Sequence, residues 1–119
     1  MGDSGQNLGA LSVWCSALGN FVASDAPDLS TRQLAIMLNV YLRPGPHTVR
    51  GLAETLNISK PAVSRALDSL GSQGLARRQR DQSDRRNVIV ERTEAGAVCL
   101  ATFANLVRDA ERDELQVDG

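Results

Sequence analysis

Thr48-Val49-Arg50-Gly51-Leu52-Ala53-Glu54-Thr55-Leu56-Asn57-Ile58-Ser59-Lys60-Pro61-Ala62-Val63-Ser64-Arg65 is the stretch that decides the fold. Thr48 can accept from the amides that open a helix, and Val49, Leu52, Ala53 and Leu56 then recur on its inner side. Asn57-Ile58 reads as a tight turn and Ser59 as the cap of a second helix. Pro61 fits the first turn of that helix, where its missing amide would lack a partner anyway. Val63, Leu67 and Leu70 stand at i, i+4 and i+7 and so face inward. Lys60, Ala62, Ser64, Arg65 and Asp68 are left toward solvent, or toward whatever the helix touches.

Downstream, Gly71 and Gly74 supply a helix stop and a turn. Leu75 to Arg80 and Arg86 to Arg92 predict two strands, with Val88-Ile89-Val90 the strongest β-forming triplet in the chain. The loop between them, Asp81-Gln82-Ser83-Asp84, is short and polar as a hairpin requires. Thr93 caps a last helix running to about Leu115, with Ala97, Leu100, Ala101, Ala104, Val107 and Leu115 as its apolar stripe. Helix, turn, helix and Arg-rich hairpin in that order predict a winged helix-turn-helix, which offers a helix to one DNA groove and a loop to the next.

Upstream, apolar residues recur at helical spacing from Leu8 to about Ala23, and Asp25-Ala26-Pro27-Asp28 ends that helix. Ser30 and Gln33 make a capping box, with Leu29 and Leu34 placed as a hydrophobic staple. The helix that follows is apolar on nearly every side through Leu42, which marks the buried centre of a domain, and Pro44-Gly45-Pro46 stops it. The expected fold class is mainly α with a small β-hairpin (α+β). Residues 1–7 read as a flexible tail and 8–119 as a single domain, with the lobe at 30–92 and its wing at 75–92.

The chain has 119 residues and a 42% apolar share, enough to bury a real core. No apolar run approaches the roughly 18 residues of a membrane span, and the first residues lack the pattern of a secretion signal. Cys15, Cys99 and the single His47 show no metal spacing, and two reduced thiols fit the cytoplasm. No phosphate loop or nucleophile–base arrangement points to an enzyme, and no cofactor is expected. Net charge is −1, but its distribution matters more. Residues 57–92 hold eight basic and four acidic side chains, whereas 94–119 hold two basic and six acidic ones. That places a local +4 beside a local −4, one face suited to a polyanion and another kept from it.

From Leu34 to about Gly96 the chain resembles the MarR family of bacterial transcription regulators. The resemblance is carried by Leu52-Ala53-Glu54-Thr55-Leu56, Ser59-Lys60-Pro61-Ala62-Val63-Ser64-Arg65 and Gly74-Leu75-Ala76-Arg77-Arg78, then by the wing signature Asp84-Arg85-Arg86 and the helix start Thr93-Glu94-Ala95-Gly96. It implies that the helix from Ser59 enters the major groove of double-stranded DNA, with Ser59, Lys60, Pro61, Ala62, Ser64 and Arg65 facing it. Arg86 is implied as minor-groove reader, flanked by Arg78, Arg80 and Arg85, with Asp84 holding the wing in shape by pairing with a neighbouring arginine. The flanking helices, 8–24 and 93–115, are implied as the dimerisation domain of a homodimer. Two reading helices about 34 Å apart would then demand a near-palindromic operator. A small aromatic effector is implied between dimerisation helices and DNA-binding lobes, with Trp14, Leu18 and Met37 lining its cleft.

Two rival readings stand beside this one. A winged helix can serve as a protein-interaction or assembly module, its acidic end engaging a basic partner. Some relatives sense organic hydroperoxides through a first-helix cysteine activated by tyrosine hydroxyls. Here Cys15 lies between Trp14 and Leu18 on an apolar stripe, and Tyr41 is the only tyrosine, so packing is the plainer role for the thiol.

Overall fold

The computed structural model describes residues 8–118. In chain order, its helices and strands are α1 (Leu11–Ala23), α2 (Thr31–Leu42), β1 (His47–Thr48), α3 (Val49–Leu56), α4 (Lys60–Ser72), β2 (Ala76–Arg80), β3 (Val88–Arg92) and α5 (Glu94–Asp118). They divide into two compact units, one spanning Leu29–Val98 and the other formed by α1 with the part of α5 from Cys99 onward.

In the Leu29–Val98 unit, helix starts follow the local chemistry of the sequence. Ser30 Oγ accepts from the Gln33 amide at 3.1 Å while Gln33 Oε1 accepts from the Ser30 amide at 2.9 Å, a complete capping box. Thr48, Ser59 and Thr93 each accept from the amide three residues on. Asn57 takes left-handed backbone (φ 54°) between α3 and α4, and Gly74 does the same (φ 74°) before β2. Ile36, Met37 and Val40 of α2 are buried with Val63, Leu67 and Leu70 of α4 to form the centre. Each aliphatic side chain removed from water there is worth about 1.5–3 kcal/mol.

The hairpin expected from sequence is one part of a three-stranded antiparallel sheet ordered β1-β3-β2. The added strand has only two residues, paired His47↔Val90 and Thr48↔Ile89. Thr48 therefore ends a strand and caps α3 at once, which ties the root of the wing to the start of the helix pair.

Tyr41 joins α2, β2 and the start of α5. Its hydroxyl donates to the Leu75 carbonyl at 2.8 Å and accepts from the Thr93 amide at 2.9 Å. Thr93 Oγ1 donates to the Gly74 carbonyl at 2.7 Å and accepts from the Gly96 amide at 3.0 Å. Arg92 donates to the Val40 and Arg43 carbonyls at 2.8 and 3.2 Å, closing the C-terminal end of α2 with a cation.

In the other unit, Ala17 and Phe21 of α1 are buried along with Cys99, Leu100, Phe103 and Ala110 of α5. Phe103 meets Trp14 and Phe21 with ring centroids 5.8 and 5.3 Å apart. The stripe expected on α5 needs correction. Leu100 is buried and Val107 half-buried, but Ala97, Ala101 and Ala104 are exposed, because Phe103 sets which side turns inward. Leu11, Trp14, Leu18 and Val22 form a row of exposed apolar side chains along α1. The expected tail over residues 1–7 and the side chain of Leu115 lie outside the described residues.

Candidate nucleic-acid interface

Helix α4 places its functional side chains by its own periodicity. At about 100° per residue, Ala62, Val63, Ala66, Leu67 and Leu70 fall within one arc, and all are buried. Lys60, Pro61, Arg65 and Asp68 fall on the opposite arc and are exposed, with Ser64 half-buried beside them. Ala62 is a correction: expected to face the groove, it is only 6% exposed. A single methyl gives little hint of its side, and Ala62 falls one turn before Ala66 on the packed face. Ser59 is exposed and its Oγ accepts the Ala62 amide, so its own proton remains available to an outside acceptor.

Two acidic groups of α4 and the hairpin are already engaged. Asp68 pairs with Arg78, which links the outer face of α4 to β2. Arg77 pairs across the hairpin with Glu91 at 3.4 Å, as their facing register allows. Among the described residues, neither Lys60 nor Arg65 forms an ion pair.

The wing tip is shaped by two aspartates. Asp81 accepts from the Ser83 amide at 2.9 Å and the Ser83 hydroxyl at 2.7 Å, and these bonds lower its pKa. Asp84 accepts from Arg86 Nε and from the Arg86 amide, both at 3.1 Å. The Arg86 side chain and then its amide hold the Asp84 carboxyl below its ordinary value, and the positive charge of Arg50 adds a smaller pull the same way. Arg80 donates to the Arg85 carbonyl at 2.6 Å and braces the loop. Arg86 itself is 85% exposed, and the Arg85 side chain is exposed too. The arginine implied to read the minor groove and the aspartate implied to shape the wing are therefore each other's partners.

Other sequence expectations separate here. Trp14 and Leu18 are exposed on α1, and Met37 is 1% exposed in the Leu29–Val98 unit. Cys15 is exposed and Cys99 buried, with burial pushing the Cys99 thiol pKa up. The Tyr41 hydroxyl is committed to Leu75 and Thr93. Three arginines with clear placements were missed in sequence. Arg92 caps α2, while Arg32 and Arg50 are exposed beside α4, their signal hidden because neither lies in the basic run.

Among the described residues, no helix is long and apolar enough to cross a membrane. No group of three or more His, Cys, Asp or Glu among them could hold a metal ion.

The chain is similar in structure to the transcriptional regulator BldR from Sulfolobus solfataricus, with 32% identity over 74% of this chain and a TM-score of 0.60. The match spans 62% of the length of BldR. It is similar in fold to the S. aureus MepR of a MepR–DNA complex (21% identity, 89% of this chain and 82% of that one, TM-score 0.70). It is likewise similar to the YusO protein from Bacillus subtilis (19% identity, 98% and 82%, TM-score 0.75). No curated protein matches the chain in sequence at a significant level. A family model described as the MarR family matches residues 28–87, half of the chain and the whole run from the capping box of α2 to the wing tip. The chain belongs to the MarR family, whose members are winged helix-turn-helix transcriptional regulators and not enzymes.

Proposed function

We propose that this chain is a cytoplasmic, homodimeric repressor that blocks a promoter by occupying a near-palindromic operator. Helix α4 would lie in the major groove with Lys60, Pro61, Ser64 and Arg65 toward the bases and phosphates, while Arg86 reaches an adjacent minor groove. The observation that carries this reading is the unpaired state of Lys60 and Arg65 on the outer arc of α4, beside a wing tip that exposes Arg85 and Arg86. A guanidinium can pair bidentately with guanine in the major groove or sit in a narrow, strongly negative minor groove. The exposed row Leu11, Trp14, Leu18 and Val22 supports a second copy as the cover for α1, since a monomer gains nothing from leaving such a row in water. A small aromatic effector that releases the operator would draw on Trp14 and Leu18.

The test is a gel shift on the chain's own upstream DNA at two salt concentrations. One preferred site with steep salt dependence is the expected result. No binding at low salt would overturn the reading and favour a protein-interaction module, for which the acidic balance of residues 94–119 is the support. Two variants then divide the work of α4. Lys60→Ala should weaken binding to all sequences, and Arg65→Ala should cost about 1–3 kcal/mol at one base pair. Equal losses on every sequence would remove Arg65 from base reading.

A further inference from the structure

The two unpaired cations of α4 stand at opposite edges of its outer arc. Lys60 and Arg65 are five residues apart, so roughly 140° separates them around the helix. Pro61, Ser64 and Asp68 fall between them. Each edge opens onto a cleft, and an arginine from another helix stands across each one. On the Lys60 side, a cleft of about 520 Å³ is lined by Lys60 and by Arg50 and Glu54 of α3. On the Arg65 side, a cleft of about 430 Å³ is lined by Arg65 and by Ser30, Arg32 and Gln33 at the start of α2.

Both arginines are exposed, and neither forms an ion pair among the described residues. The first cleft carries one acid against two bases; the second is lined by two bases and no acid. Arg50 also lies near enough to the wing for its charge to act on Asp84. It therefore stands between the reading helix and the wing tip.

A B-DNA major groove is about 12 Å wide and a helix with its side chains about 10–12 Å across, so a helix lying in the groove has a phosphate backbone along each flank. Side chains on the outer arc of the helix, its edges included, can reach bases or phosphates. Those on neighbouring elements beyond the edges meet phosphates, which fix register without reading sequence.

We propose that Arg32 and Arg50 are a pair of backbone clamps, one for each wall of the groove that α4 enters. Arg50 grips the strand on the Lys60 and wing side, and Arg32 grips the strand on the Arg65 side. The inference rests on the DNA-binding reading above and adds the residues that would set its electrostatic strength. The partner chemistry is the phosphodiester of a duplex, independent of base sequence.

A random-sequence 30-bp duplex is therefore a sufficient probe, titrated by fluorescence anisotropy across salt concentrations. Each neutralised phosphate adds about 0.9 to the slope of log affinity against log salt. Arg32→Ala and Arg50→Ala should each lower that slope by about 0.9 per engaged protomer while leaving the thermal midpoint in place. Lysine at either position should restore it, and Arg108→Ala on α5 should leave it unchanged. Wild-type slope in both alanine variants would overturn the clamp while the protein still binds DNA. A wild-type chain with no salt-dependent affinity for any duplex would overturn the clamp and the DNA-binding reading together.

Discussion

The Tyr41 hydroxyl occupies the space that a Cβ on residue 96 would need, and the Leu75 carbonyl closes the same space from another side. Gly96 is thus a glycine because of a residue more than fifty positions earlier in the Leu29–Val98 unit. The close approach lets one hydroxyl serve both the Leu75 carbonyl and the Thr93 amide. It fixes the start of α5 against the end of α2 and the root of the wing.

Gly96→Ala should therefore destabilise the protein by about 1–3 kcal/mol or more, since backbone as well as side chain must move to admit the methyl. Tyr41→Phe should cost about 1–3 kcal/mol by leaving the Leu75 carbonyl and the Thr93 amide without their partner. The two losses should not add, because removing the hydroxyl also removes one of the clashing atoms. Urea unfolding of both single variants and the double variant checks this. Strict additivity would mean that the two positions do not share the site.

How much of this was legible in sequence depends on the range of the interaction concerned. The caps at Ser30, Thr48, Ser59 and Thr93 were readable because a cap and its amide lie within three residues of each other. Strand β1 was not, since two residues carry no periodicity and exist as a strand only through Val90 and Ile89. Ala62 and the alanines of α5 misled for a related reason: small side chains tolerate either side of a helix, so neighbours decide. Charge density marked the wing, but the division of labour among its arginines waited on which carboxylate or carbonyl each one meets.

Arg92 shows that division most plainly. It belongs to the basic run yet spends its guanidinium on the Val40 and Arg43 carbonyls. Arg92→Met should lower stability by about 1 kcal/mol, the worth of a cationic helix cap with its hydrogen bonds. It should leave the salt dependence of DNA binding unchanged. Arg86→Ala should do the reverse, weakening DNA binding while the thermal midpoint hardly moves. Matched melting curves and anisotropy titrations separate the two, and a pair of variants with interchangeable effects would refute the assignment.

The pairing of Asp84 with Arg86 has a pH signature. Its folded-state pKa is depressed, chiefly by the Arg86 side chain. The contribution of the pair is therefore fully present above the unfolded-state value, roughly 3.9, and is lost as pH falls through the lower folded value. Between pH 6 and 8 this carboxylate should add no pH dependence to folding. A carbon-detected NMR titration should place its midpoint below that of a free aspartate, and Arg86→Ala should bring the midpoint back up. A midpoint that ignores the loss of Arg86 would show that the arginine is not its main partner.

The two cysteines offer a test of what covers α1. Cys99 is buried and its thiol is raised by that burial, so almost no thiolate exists at neutral pH and alkylation should be slow at every protein concentration. Cys15 is exposed on the same helix as the open apolar row. If a second copy covers that row, Cys15 should react slowly at high protein concentration and faster on dilution, as the dimer dissociates by mass action. Val22 is 74% exposed, so Val22→Glu should spare the packing of the single chain while placing a charge in the shared surface. That variant should sediment as a monomer and expose Cys15 at all concentrations. Cys15 labelling that stays constant across dilution in the wild-type chain, with no change in Val22→Glu, would argue against α1 as the seat of the dimer.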